Sequence, residues 1–208
     1  MIRKTFNFAL SAGMAALLCA CASGGGGVAP TAIAPTAIEP LGPSFAQSFA
    51  QSREIAGRLG LDDDNARASD PANLPTFGTA TYDGIAQFGR SLDAPASLVI
   101  GRADLTVDFR TRAVSGRVTD MVSQRGRYTG ELAIDGGRFD RGAGRRDAAM
   151  TLDLDGRISR PGVSARTIDA SLLGVFANGG KAIAGFGEGV SRGPDGARPI
   201  EAVVAVER

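Results

Sequence analysis

Residues 103–109 read Ala103-Asp104-Leu105-Thr106-Val107-Asp108-Phe109. Leu105, Val107 and Phe109 alternate with Asp104, Thr106 and Asp108. A period of two puts the apolar side chains on one face of an extended strand and the polar ones on the other. The same alternation returns on both sides of this stretch. Val114 and Val118 alternate with Ser115, Arg117 and Thr119, and Tyr128, Leu132 and Ile134 with Thr129, Glu131 and Ala133. Met150, Leu152 and Leu154 alternate with Thr151, Asp153 and Asp155. Ile168, Ala170, Leu172 and Phe176 share one face, as do Ile200, Ala202, Val204 and Val206.

The pattern predicts eight strands, near 76–90, 97–110, 113–121, 127–135, 147–159, 164–177, 181–191 and 199–207. Asp135-Gly136-Gly137 and Asn178-Gly179-Gly180 read as tight turns, where positive φ favours glycine and asparagine. Short connections imply an all-β, antiparallel, up-and-down meander, and eight strands suffice to close a barrel. Glycines inside the strands, at Gly84, Gly116, Gly130, Gly174, Gly185 and Gly187, suit a strongly coiled sheet. Phe88, Leu105, Phe109, Tyr128, Met150, Leu152 and Phe176 are enough to fill the interior. One face of each strand carries Asp, Arg, Glu and Thr. That is the reverse of a membrane barrel, whose apolar band faces outward.

Upstream of the barrel, residues 1–20 read as an export signal. Met1-Ile2-Arg3-Lys4 is a positive start, followed by an apolar stretch from Phe6 to Leu18, too short for a permanent span. Leu18-Cys19-Ala20-Cys21 resembles the lipobox of bacterial lipoproteins, which implies cleavage before Cys21 and acylation of its thiol. Acyl chains such as palmitate then anchor the chain, each buried methylene adding about 0.8 kcal/mol. Ala22 follows the cysteine where an Asp would imply retention at the inner membrane, so the outer membrane is the expected location.

Residues 21–75 read as a tether. Ser23–Gly27 is a flexible glycine run. A five-residue period, Pro30-Thr31-Ala32-Ile33-Ala34 and Pro35-Thr36-Ala37-Ile38-Glu39, favours extended chain. Phe45, Phe49, Ile55 and Leu59 fall on one stripe of a short amphipathic helix expected to dock on the barrel. Asp62-Asp63-Asp64-Asn65 lacks the glycine turn and distal Glu of a calcium loop and reads as a solvated acidic turn.

Composition narrows the chemistry. The chain carries 23 basic and 22 acidic residues, a formal net charge of +1. Loss of residues 1–20 leaves 21 of those basic residues, all but Lys181 being arginine. No strong overall field favours nucleic acid. An arginine excess suits recognition of carboxylates or phosphates. These arginines are scattered along the sequence, however, and codon bias is the plainer account. There is no His, and both Cys lie within the first 21 positions. The usual general base, thiolate nucleophile and metal ligands are therefore missing from the barrel, and no cofactor, metal or catalytic residue is expected. Asp153 and Asp155, about 7 Å apart by strand rise, have a spacing that glycoside chemistry could use. They read as outward, solvated charges.

The stretches Gly78-Thr79-Ala80-Thr81-Tyr82-Asp83-Gly84, residues 103–109, Ala113-Val114-Ser115-Gly116 and Gly174-Val175-Phe176 with Gly185-Phe186 carry a likeness. Residues 76–207 resemble the C-terminal barrel of the transferrin-binding protein B family. The resemblance implies a lipid-anchored, non-enzymatic barrel that binds or scaffolds, with a protein ligand as partner. Ala177-Asn178-Gly179-Gly180-Lys181-Ala182 departs from that family's aromatic-Gly-Pro turn, so transferrin binding itself is not carried over. A lipocalin-like carrier with a small apolar ligand in its lumen and a structural envelope lipoprotein stay open beside it.

Overall fold

The structure, a computed structural model, describes residues 43–60, 68–140 and 149–208. Its strands are β1 Thr79–Gly89, β2 Val99–Asp108, β3 Ala113–Ser123, β4 Thr129–Phe139, β5 Ala149–Arg160, β6 Val163–Ala177, β7 Ala182–Gly193 and β8 Gly196–Glu207. Each pairs antiparallel with the next along the chain. β1 and β8 close the ring, with Gly84 opposite Val206 and Phe88 opposite Ala202. Gly126–Arg127 adds a short ladder against the end of β3. The expected eight-stranded up-and-down barrel is therefore the observed one, and closure removes the unpaired edges of an open sheet.

The alternation puts Leu105, Val107, Phe109, Val118, Leu132, Ile134, Leu152, Leu172, Ile200 and Val204 inside, each at most 5% exposed. They belong to one contiguous apolar cluster that occupies the barrel axis. Tyr128 differs from expectation: it is only partly buried, packed against the edge of that cluster. Phe139, 2% exposed, fills the core in a place the sequence pattern did not reveal.

Asp135-Gly136-Gly137 is not a turn. β4 runs through it to Phe139, and the pairing jumps from Asp135 opposite Asp153 to Arg138 opposite Thr151. Three residues step past two, which is a β-bulge. Gly137 suits it because a Cβ there would lie 2.8 Å from the Val114 carbonyl oxygen. The connection to β5 lies outside the described residues. Asp108 faces outward as expected, yet it holds the β2–β3 turn. Its Oδ1 accepts the backbone N–H groups of Arg110 (2.8 Å) and Thr111 (3.0 Å). The Thr111 bond, first among several causes, holds its carboxyl below the usual range.

Helix α1, Phe45–Leu59, starts at a capping box in which Ser44 and Gln47 serve each other's backbone N–H. It ends at Gly60, whose φ of 67° is left-handed. Ile55 and Leu59 pack on the outside of the barrel against Ile85, Ala177, Ala182 and Ala205. Phe45 and Phe49 are not part of that stripe. Ser48 and Ser52 are buried there instead, and the two rings stack on each other at 5.8 Å beside it. Spacings of three to seven residues alone could not distinguish the two stripes, because the barrel wall offers only a narrow apolar strip.

Candidate functional site

The meander gives the barrel two different ends. At one, the turn Asn178-Gly179-Gly180 adopts positive φ at all three residues, and the segment entering β1 seals it. Ser69 donates its N–H to the Phe176 carbonyl (2.7 Å), and its Oγ accepts from the Gly180 N–H (2.9 Å). The Tyr82 hydroxyl, fully buried, donates to the Gly180 carbonyl (2.8 Å). Burial pushes the Tyr82 phenol above its ordinary value, which keeps that donor protonated. Leu74 enters the core beside them, and a Cβ on Gly180 would sit 2.7 Å from its Cδ2. Below this plug, Phe176 meets Phe139 edge-on at 5.2 Å and Phe109 at 6.1 Å.

The other end is open. The connections β1–β2, β3–β4, β5–β6 and β7–β8 surround a basin of about 490 Å³. Its floor is Phe88, Leu98, Ile158, Ile168 and Ile200, and its rim holds Arg90, Arg125, Arg160, Arg166 and Arg198 against the single carboxylate of Asp195. Five of the arginines scattered in sequence thus converge here. Positions 90, 125, 160 and 198 follow one another at intervals of 35, 35 and 38 residues. That is the length of one hairpin repeat, which returns the chain to the same end of the barrel. A guanidinium at this interval is invisible to any reading of local patterns.

Two of the five are fixed. Arg166 donates to Asp195 Oδ1 (2.6 Å), Ser191 Oγ (2.8 Å) and the Ser191 carbonyl (3.1 Å). Arg198 holds the other Asp195 oxygen. The Arg166 hydrogen bond, first, and both positive charges draw the Asp195 carboxyl below its ordinary value. Arg160 donates to the Arg125 carbonyl (2.6 Å) and lies 5.9 Å from the centre of the Tyr128 ring. The Arg90 and Arg125 guanidiniums make no hydrogen bond or ion pair among the described residues.

The Asp195 clasp is pH-dependent. The carboxyl's folded value lies below the unfolded value of about 3.9, so the clasp is fully present above that pH. It is lost as pH falls through the folded value. Carboxyl NMR should show Asp195 titrating below an ordinary aspartate, and Arg166→Gln should move the midpoint upward. A midpoint unmoved by that substitution would refute the clasp.

A second concavity, about 620 Å³, lies between α1 and the wall, with Arg58, Arg102 and Arg208 balanced by Asp83, Asp120 and Glu207. Four of these six charges pair off: Arg58 with Glu207 (2.6 Å) and Arg102 with Asp83 (3.1 Å). Asp83 stands directly opposite Asp104, and Arg102 bridges both. Burial, and then Asp83, raise the Asp104 carboxyl, while Asp104 and Arg102 lower that of Asp83. This is the carboxylate pair that sequence reasoning missed, since cross-strand register alone creates it. Asp153 and Asp155 lie exposed on the outer face, with Asp135 and Asp169 as cross-strand neighbours. Among the described residues no cluster of three or more Asp, Glu, His or Cys could hold a metal ion. Cys21 and Asp62-Asp63-Asp64-Asn65 lie outside the described residues.

Fold and site together define a closed meander barrel with one plugged end and one arginine-rimmed mouth. No family model and no curated protein matches the chain. Among solved structures it is similar to a mutant of the vaccine antigen transferrin-binding protein B from Haemophilus parasuis Hp5, with a TM-score of 0.39 and 17% identity. The likeness covers 68% of this chain and 28% of that one.

Proposed function

We propose that this chain is an outer-membrane lipoprotein whose barrel is a binding or scaffolding module for a protein ligand. Cys21 carries the lipid at the head of the 21–75 tether, and the barrel presents its mouth and outer wall. The observation that supports binding at the surface is the filled axis. A lumenal carrier needs a chamber, whereas Leu132, Leu152, Phe176 and Val206 occupy the interior at 0% exposure. No catalytic step belongs to this reading.

Two experiments test it in intact cells. Cys21→Ser is expected to abolish palmitate incorporation and release the protein from membranes. Label still entering the mutant would refute the anchor. A photo-cross-linker placed at Ala96 on the mouth or Leu173 on the outer wall, both exposed, should give a discrete protein adduct. The absence of an adduct from both positions would refute the binding module.

A further inference from the structure

Resting on the binding-module reading, we propose that the mouth basin recognises carboxylates and takes an acidic stretch of polypeptide from its partner. Five arginines and a single acidic residue, Asp195, line it, in a chain whose total charge is nearly balanced. Guanidinium stays charged at any physiological pH, so the excess positive charge cannot be relieved by titration. Packing it around one concavity opposes folding unless an anion offsets it. The four hairpin connections bring these charges together from positions far apart in sequence.

The basin already shows what it holds. Arg166 contacts one oxygen of Asp195 and Arg198 the other, so two guanidiniums share one carboxylate through charge-assisted hydrogen bonds. Arg166 is kept in place by Ser191, so one carboxylate subsite is built and filled from within. Arg90 and Arg125 have the same head group and no partner among the described residues. Arg160 spends one donor on the Arg125 carbonyl and keeps others for a ligand.

The rest of the basin disfavours an alkyl chain and single-stranded nucleic acid. Its floor residues Phe88, Leu98, Ile158, Ile168 and Ile200 are each at most 5% exposed. They leave a shallow base with no slot for an alkyl chain. Single-stranded nucleic acid needs successive aromatic platforms, and Tyr128, the single aromatic side chain on the rim, lies beneath Arg160. A volume of about 490 Å³ falls within the range of ligand sites and suits a few residues of extended chain with their carboxylates on the rim.

The test uses the mature full-length protein at low salt with a fluorescent hexa-aspartate peptide, hexa-lysine and inorganic tripolyphosphate. Saturable binding of hexa-aspartate alone is expected, weakened at least tenfold by Arg90→Ala/Arg125→Ala. The melting temperature should hold or rise, because neither guanidinium makes a hydrogen bond or ion pair among the described residues and both add to the charge that opposes folding. Arg157→Ala, on the exposed outer face of β5, should leave the affinity unchanged. Three results would overturn the proposal: no saturable peptide binding, tripolyphosphate binding more tightly than the peptide, or an equal loss from Arg157→Ala. If the peptide fails while Leu173 still cross-links a partner in cells, the carboxylate site falls and the binding module stands.

Discussion

Replacing Phe176 by alanine is expected to cost about 3–5 kcal/mol of unfolding free energy, a large share of the 5–15 kcal/mol of a typical domain. Phe176 is 0% exposed. Its ring touches three others, at 5.2 Å from Phe139, 6.1 Å from Phe109 and 6.4 Å from Tyr82. Truncation loses the transfer energy of the ring and leaves a cavity that the plug above it cannot fill. Tyr82 is tied to Gly180, and Phe176's own carbonyl accepts the Ser69 N–H. The cavity walls are thus hydrogen-bonded to one another and will collapse little. Phe186→Ala is the companion measurement. That ring faces outward and is 45% exposed, so its loss should stay near 0.5 kcal/mol. Urea denaturation of both variants decides the matter, and equal stability would mean the strand faces are inverted.

Gly187→Ala is expected to destabilise by about 1–3 kcal/mol, the usual cost of overpacking a filled site. A Cβ at this position would lie 2.0 Å from the Ser171 carbonyl oxygen and 2.6 Å from the Leu172 Cα. Both are backbone atoms of β6, so relief requires the two strands to separate along a ladder that runs from Thr167–Arg192 to Ala177–Ala182. Glu188→Ala, at the next position and exposed, should change stability by no more than about 0.5 kcal/mol. Thermal melts of the pair test whether β7 needs glycine for close approach. A neutral Gly187→Ala would show that the strands have room to spare.

The alternation of residues 103–109 and its repeats determined the barrel without help from the structure. A period of two with one apolar face leaves each strand a single way round. Slipping by one residue would expose Leu105, Val107 and Phe109 together. Eight such strands with short connections then have one economical closure. Local signals failed where two structures share a local signature. Asp135-Gly136-Gly137 has the composition of a turn, but the same residues serve a bulge, and only the ladder to β5 decides between them. Phe45 and Phe49 have helical spacing, but the narrow strip offered by Ile85, Ala182 and Ala205 selected the serine side of α1.

The arginine mouth was decided by tertiary structure alone. Arg90, Arg125, Arg160 and Arg198 are separated by a full hairpin each, far beyond any helical or strand period, so nothing local links them. What links them is topology: an up-and-down meander returns to the same end every second strand. The Asp83–Asp104 pair arises the same way, from cross-strand register. Periodicity along the chain specifies which face of a strand is buried. Only closure of the sheet brings distant charges into one field, and the excess of guanidinium over carboxylate at the mouth exists nowhere in the linear sequence.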